Sequence, residues 1–297
     1  MARSSTVPAS KEIPTRLQAL LLWLMALVAV VVTGFGVGAV AAVLAVRAGL
    51  APDRALQLIS DPRSSPLVTS STWIAISIVV NELAVAFTLF IWVWRKRPHL
   101  GHVFPIGQPT LRTIFAGLLM VFGFGPFAEF SGELVFRFLP HDVNAERLVV
   151  AVARNASSGG LVPVLFAAAI LPALVEELMF RGLVTRAFEK RSHAEMVLVP
   201  SLLFGLFHLE PTQIAGTVVL GVAFGLARLY SGSLVPSIVA HAAYNSMVIL
   251  DVRFGGRIGD HVLHFGRVGA GLGVAALGTL LMVSSPARLL PALRHRH

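Results

Sequence analysis

Two of the 15 acidic residues in this sequence, Glu176 and Glu177, stand side by side in an apolar run, and Arg181 follows them. On a helix, Glu177 and Arg181 are i,i+4 neighbours with the carboxylate on the N-terminal side, the better orientation for an ion pair. Glu176 points about 100° away from that pair and is left without a local partner. An unpaired carboxylate in an apolar environment is a candidate general base.

Two histidines and an asparagine further along the chain supply other groups that hydrolysis requires. His208 follows Phe204 by four residues and Asn245 follows His241 by four, so each pair shares one helix face. Together with Glu176 they match a base for water, a proton shuttle and donors for an oxyanion. They would equally suit a metal site with one open position, for which the candidate ligands are Glu176, His208 and His241.

Spacing along the chain tests whether these side chains can meet. Suppose the helix that carries Glu176 runs to about Lys190 and the chain then turns. Glu176 then lies about 14 residues before the turn and His208 about 15 residues after it. At about 1.5 Å per residue, both stand ~21–22 Å from the turn and can face each other across a helical hairpin. His241 lies only ~13 Å from its own turn at Gly232, so the spacing permits one shared site without requiring it.

The elements that position these residues must be membrane spans. Of the 297 residues, 56% are hydrophobic and 13% are charged, whereas soluble chains are about 25% charged. The mean hydropathy is +0.79. Cysteine is absent, which excludes disulfides, a cysteine nucleophile and a thiolate metal site. The predicted fold class is therefore an all-α, polytopic membrane helix bundle.

Apolar runs predict about eight transmembrane helices. The first lies between Arg16 and Arg47, which enclose 30 residues without Lys, Arg, Asp or Glu, and about 20 apolar residues suffice to span a bilayer. The other runs, of which the fifth is short, are 73–94, 113–130, 161–190, 195–209, 213–230, 233–250 and 264–283.

Charges in the loops predict how the chain sits in the membrane. Lys and Arg are more frequent in the loops on the side of the N-terminus, so the positive-inside rule predicts that both termini are cytoplasmic. The net charge of +9 then reflects cytoplasmic loops and anionic headgroups, and no nucleic-acid partner is expected. We divide this single membrane domain into N-terminal helices and loops (1–160), a catalytic core (161–250), and a last transmembrane helix with a basic cytoplasmic tail (251–297).

The polar residues of the core resemble the signature of the CAAX-protease and bacteriocin-processing (CPBP) family of intramembrane proteases, which includes the type II CAAX prenyl endopeptidases. Three blocks carry the resemblance, in order and on separate predicted helices. They are Glu176–Glu177–x–x–x–Arg181, Phe204–x–x–x–His208 and His241–x–x–x–Asn245. Other intramembrane proteases fit poorly, since the sequence has neither a His-Glu-x-x-His motif nor a Gly-x-Ser-Gly motif.

The resemblance implies an eight-helix endopeptidase with its active site within the bilayer. By this similarity, Glu176 and His208 activate the attacking water, while His241 and Asn245 bind a metal or form the oxyanion hole. Glu177 with Arg181 would be the structural ion pair of the motif, and Phe204 would be its aromatic residue. Both a site with one divalent metal, such as zinc, and a metal-free glutamate mechanism are consistent with the residues.

The resemblance also implies the substrate and the location. The substrate would be a membrane-anchored or lipid-modified protein or peptide, cleaved near its C-terminus or anchor. Prenylated CAAX tails, bacterial sorting-signal tails and bacteriocin leader peptides all stay open. The expected location is a bacterial plasma membrane, with the lipid bilayer as the protein's surroundings.

The same polar residues admit interpretations without catalysis. An ionisable group at membrane depth costs at least ~2.5–3.5 kcal/mol, and interhelical hydrogen bonds are one way to offset that cost. We interpret Asn81 and Glu82 in the second span in this way. If all of these polar residues serve only as interhelical contacts, the protein would be a non-catalytic immunity or scaffold protein. A proton-coupled transporter is a third alternative, but the inverted repeats that would favour it are not detectable in the sequence.

Overall fold

The computed structural model describes residues 13–52, 71–139, 160–254 and 265–284, and the secondary structure within these ranges is helical. The predicted loops between the first two spans and before the fourth, and the basic tail, lie largely or wholly outside the described residues. The helices are α1 (Arg16–Arg47), α2 (Ser71–Lys96), α3 (Leu100–Val103), α4 (Leu111–Phe136), α5 (Leu161–Ala187), α6 (His193–Leu206), α7 (Pro211–Ser231), α8 (Val235–Arg253) and α9 (Phe265–Val283).

Seven of the helices in the described ranges are long and apolar enough to cross a membrane, and α3 and α6 are the two that are not. The protein is a multi-pass membrane protein, and the predicted helix-bundle fold is confirmed. The fifth predicted span, 195–209, which the sequence already marks as short, corresponds to α6. This apolar helix has 14 residues and ends at Leu206, three residues before the predicted end. The fourth span also ends early, at Ala187 instead of residue 190.

The turns around the predicted catalytic core are set by residues that satisfy the free backbone groups of the helix ends. Ser192 and Glu195 form a capping box at the start of α6, each side chain accepting the other's backbone N–H. Glu210 caps α7 by accepting the N–H of Gln213 at 2.8 Å. The same helix ends at Gly232, whose φ of 68° is the left-handed conformation that favours glycine. These caps fix where α6 and α7 begin and where α7 ends.

Small residues let the helices of the bundle approach closely, as is common where lipid provides no hydrophobic drive for helix association. A Cβ atom added at Gly123 of α4 would lie 2.4 Å from the backbone nitrogen of Ala275 in α9. Similarly, a Cβ atom at Gly271 of α9 would lie 2.5 Å from the carbonyl oxygen of Gly123. The contact between α4 and α9 is therefore a backbone-to-backbone contact.

The N-terminal helices pack against the core through polar contacts as well. The indole nitrogen of Trp23 in α1 donates to the carbonyl oxygen of Leu203 in α6 at 3.0 Å. The hydroxyl of Thr33 in α1 donates to the side-chain oxygen of Asn81 in α2 at 2.7 Å. Asn81 therefore makes the interhelical hydrogen bond predicted for it.

Substituting Gly271→Val should separate α9 from α4, because the new side chain would meet the backbone of Gly123. We expect a lower unfolding temperature in detergent, with a loss of about 1–3 kcal/mol typical of overpacked contacts. The matched control is Gly273→Val on the same helix, where an added Cβ meets nothing within 4 Å. Equal effects of the two substitutions would contradict the close contact.

Candidate active site

A π-helical turn within α5 presents the first polar block. The segment Leu171–Glu177 is α-helical and the next segment, Leu178–Val184, is π-helical. Such turns occur mostly inside α-helices and frequently at functional sites. Glu176 is 7% exposed, while Glu177 and Arg181 are fully buried. All three charges therefore lie inside the bundle, where each needs a partner or a function.

Glu177 and Arg181 form the ion pair that their spacing predicts. Glu177 Oε1 lies 3.0 Å from Arg181 Nη1, and Arg181 Nη2 donates to the carbonyl oxygen of Gly221 in α7 at 3.0 Å. The guanidinium carbon lies 4.4 Å from the ring centroid of Phe204 and 5.1 Å from that of Phe224. These cation–π distances mean that two aromatic faces solvate the cation in place of water. The ion pair joins α5 to α6 and α7.

His241 of α8 lies between the two carboxylates. Its Nδ1 is 3.2 Å from Glu177 Oε1 and its Nε2 is 3.6 Å from Glu176 Oε2. A carboxylate can only accept a hydrogen bond, so Nδ1–H donates to Glu177 and Nε2 is the nitrogen that faces Glu176. The imidazole also stacks on Phe224, with centroids 4.4 Å apart and an interplanar angle of 21°. Glu177 and Phe224 thus determine the tautomer and the ring orientation of His241.

The structure pairs Glu176 with His241, whereas the hairpin estimate set it opposite His208. Within the described ranges, no hydrogen bond or ion pair joins His208 to Glu176, and His241 is the histidine that approaches this carboxylate. The estimate assumed a straight helix through residue 208, but α6 ends at Leu206 and His208 lies in the turn that follows. Its Nδ1 donates to the carbonyl oxygen of Phe204 at 3.0 Å, which leaves Nε2 as the available base.

Phe204, the aromatic residue of the second block, connects the two histidines. Its ring centroid lies 5.1 Å from that of His208 and 5.7 Å from that of His241, both in edge-on geometry. The ring also packs edge-on against Phe180 of α5 at 5.3 Å. Because the same ring contacts the guanidinium of Arg181, it brings the three polar blocks into one cluster.

Asn245 lies one turn after His241 on α8, so the two residues share a helix face. The side chain is half-buried. In the part of the chain that the structure describes, its amide makes no hydrogen bond that would engage its donors. Asn245 therefore has N–H groups available for a ligand, and its role as an oxyanion donor stays a prediction.

Glu82 of α2 belongs to the same neighbourhood, which the sequence interpretation missed. Its side chain is 7% exposed, and its Oε2 has no hydrogen-bond partner among the described residues. Its charge is near enough to act on that of Glu176. A purely structural glutamate would have paired this oxygen. The sequence signal was available, because Glu82, like Glu176, has no cation within one helical turn.

An apolar pocket of about 510 Å³ lies between the first turns of α2 and α5. Residues of α2 that line it include Ala75, Ile76 and Val79, and those of α5 include Val164 and Ala167. Glu82 follows Val79 by three residues, so the pocket lies about one helical turn, roughly 5 Å, from that carboxylate. The pocket could hold an apolar chain beside the polar cluster.

The predicted metal ligands do not form a metal-binding group. Across the described ranges, no three His, Asp or Glu side chains converge in a way that could hold a metal ion. Glu176 and His241 approach each other. The second histidine, His208, is hydrogen-bonded to the carbonyl oxygen of Phe204 and forms no hydrogen bond or ion pair with either of them in the described ranges. A catalytic zinc ion requires three protein ligands and an open position, so this donor set does not fit one.

Comparison with known protein families agrees with the motif positions. Residues 158–247 match the family described as type II CAAX prenyl endopeptidase Rce1-like. The matched segment contains all three polar blocks, from Glu176 to Asn245. Residues 158–247 are thus similar to the CAAX-protease family, and the resemblance predicted from the sequence is confirmed for this segment. No similar curated protein and no similar solved structure was found.

Substituting Glu177→Gln should destabilise the protein, because the fully buried guanidinium of Arg181 would lose its counter-charge. We expect a loss of about 3–5 kcal/mol, measured as a lower unfolding temperature in detergent. The double variant Glu177→Gln/Arg181→Met should recover most of that loss, since removing a buried pair together leaves no uncompensated charge.

The control for this prediction is Arg191→Gln, which breaks the exposed pair that Arg191 forms with Glu195 at 3.9 Å. Exposed ion pairs contribute little, so its unfolding temperature should stay close to that of the wild type. A double variant as unstable as Glu177→Gln alone would contradict the pairing argument.

Proposed function

We propose that this protein is an intramembrane endopeptidase that hydrolyses a peptide bond near the C-terminus or the anchor of a membrane-associated or lipid-modified protein. The match of residues 158–247 to a protease family model supports the reaction class. The observation that carries the proposal is the carboxylate of Glu176, buried and without a cation of its own, with His241 Nε2 at 3.6 Å. Such a carboxylate is suited to take a proton from water.

In the proposed reaction, Glu176 accepts a proton from a water molecule as the oxygen of that water attacks the scissile carbonyl carbon. The carbonyl oxygen becomes an oxyanion, and the side-chain N–H groups of Asn245 donate to it. His208, through its available Nε2, orients the water with Glu176. The oxyanion then re-forms the carbonyl as the carbon–nitrogen bond breaks, and Glu176 delivers its proton to the leaving amine nitrogen, so that the base is regenerated and one water is consumed per bond.

Glu177 and Arg181 are positioning residues in this proposal. The hydrogen bond from His241 Nδ1 to Glu177 aims Nε2 at Glu176, and Arg181 balances the charge of Glu177. An arrangement of this kind orients an imidazole without taking part in bond making. The apolar pocket between α2 and α5 suits a lipid chain or an apolar substrate segment.

We also propose that both termini are cytoplasmic, with the short apolar helix α6 crossing the membrane in addition to the seven longer helices, and that the membrane is a bacterial plasma membrane. The basic ends of α2 and α7 support the orientation, since Arg95 and Lys96 close α2 and Arg228 closes α7. Lys and Arg are enriched on the cytoplasmic side of membrane proteins.

Substituting Glu176→Gln or His208→Ala should abolish cleavage of a prenylated CAAX peptide. Loss of a general base or of its partner costs about 10²–10⁴-fold in rate, and the unfolding temperature should be retained. The matched control is Glu129→Gln, which neutralises an exposed glutamate of α4 and should keep wild-type activity. Should a biological phenotype of the protein survive Glu176→Gln, the role is non-catalytic, as in an immunity or scaffold protein.

We propose that catalysis is metal-free, because Glu176, His208 and His241 do not converge as a three-ligand set. Activity of the purified protein should then be insensitive to 1,10-phenanthroline and EDTA, and elemental analysis should find less than one transition-metal ion per chain. A loss of activity on chelation that zinc restores would contradict the proposal and assign the ligand role to these residues.

A further inference from the structure

Arg228, in the last turn of α7, is a buried cation without a protein partner. Its side chain is 1% exposed, and none of its three guanidinium nitrogens has a hydrogen-bond partner among the described residues. A guanidinium carries five N–H donors and stays charged in proteins. Burying it unpaired is strongly unfavourable. The side chain therefore has the chemistry to bind an anion at this place.

The neighbouring carboxylates are already used. Arg186, near the end of α5, forms an ion pair with Glu189, and both their charges act on Arg228. The other carboxylate whose charge acts on Arg228 is Glu177, which is paired with Arg181. The group of Arg186, Glu189 and Arg228 therefore keeps one uncompensated positive charge.

One face of α7 links this cation to the candidate active site. Gly221 accepts the hydrogen bond of Arg181, and Phe224 stacks on His241. Arg228 follows Phe224 by four residues and therefore lies on the same face. At the rise of an α-helix, Arg228 lies about 6 Å beyond Phe224 and about 10 Å beyond Gly221 along the axis. All three α7 residues are buried.

We propose that Arg228 binds the terminal carboxylate of the substrate's C-terminal tail, with the Arg186–Glu189 pair beside it. The inference rests on the proposed endopeptidase function. A CAAX tail has three residues after its modified cysteine, and three extended residues reach roughly 10–11 Å. Arg228 lies about 6 Å beyond Phe224, which stacks on His241, and about 10 Å beyond Gly221 along the axis. A three-residue tail is therefore long enough to reach Arg228 from the level of either residue. Arginine binds carboxylates through two parallel hydrogen bonds, which makes it suited to a chain end.

The first test compares two peptides that carry the same prenylated cysteine and three-residue tail, one ending in a carboxylate and the other in an amide. The wild type should prefer the carboxylate at least about tenfold in kcat/KM, chiefly through KM, as expected for a charge-assisted hydrogen bond. Arg228→Gln should bring the ratio close to one, and Arg228→Lys should retain part of it. Arg191→Gln, an exposed arginine beyond α5, should keep the wild-type ratio.

An unchanged preference in Arg228→Gln, or an equal loss on both peptides, would overturn the proposal. The fold is checked with Arg228→Met, which replaces the cation by an apolar side chain. Because Arg228 has no protein partner, this variant should unfold at the wild-type temperature or above. A decrease as large as that of Glu177→Gln would show that Arg228 serves a structural partner and would also overturn the proposal.

The second test measures binding and does not require activity, so it separates this inference from the proposed function. An apolar tripeptide with a free carboxylate should raise the unfolding temperature of the wild type but not of Arg228→Gln, and its amide should raise neither. That result would support the site even if no peptide is cleaved. Stabilisation by anionic-lipid nanodiscs that depends on Arg228, with none by the tripeptide, would assign the site to a headgroup phosphate and overturn the carboxylate assignment.

Discussion

The fully buried ion pair between Glu177 and Arg181 is the interaction on which the arrangement of the candidate site depends. Arg181 binds the backbone of α7 at Gly221 and lies against two aromatic rings, while Glu177 holds the imidazole of His241. Neither charge could stay in the bilayer alone. Their mutual neutralisation leaves Glu176, one residue away, as a carboxylate that no cation of its own helix neutralises. The pair thus separates the structural charges from the carboxylate that we propose as the base.

A charged side chain inside a membrane protein needs a partner or a function, so the position of each buried charge in this protein indicates what it does. Only 13% of the chain is charged, and three of the six Glu and Arg side chains buried in the described ranges, Glu177, Arg181 and Arg186, form ion pairs with a permanently charged side chain. Glu82, Glu176 and Arg228 differ, because none of them forms such a pair among the described residues. Two of them lie together on α2 and α5, and the third lies on the α7 face that leads away from His241. Their placement is consistent with a site that meets a polar peptide backbone at one end and an anionic group at the other.

Some features of the site follow from spacing within one helix and were predictable. The pairing of Glu177 with Arg181 needs only the i,i+4 geometry of a helical turn. The hairpin between α5 and α6 was also found close to its predicted place, at a turn capped by Ser192. Distances between helices were not predictable in the same way. The estimate for His208 assumed an unbroken helix, whereas α6 ends at Leu206 and His208 lies in the turn that follows.

The sequence by itself determined the membrane class, the order of the helices and the three polar blocks, because hydropathy and i,i+4 spacing are local properties of the chain. The tertiary structure alone decided that His241, 65 residues away in sequence, is the histidine beside Glu176, and that Glu82 shares its surroundings. It also decided that Arg228 is buried without a hydrogen-bond partner among the described residues. These contacts depend on how helices pack and rotate about their axes, which is set by close approaches such as that of Gly123 with Gly271 and by the π-helical turn in α5. No pattern within a single helix encodes that rotation.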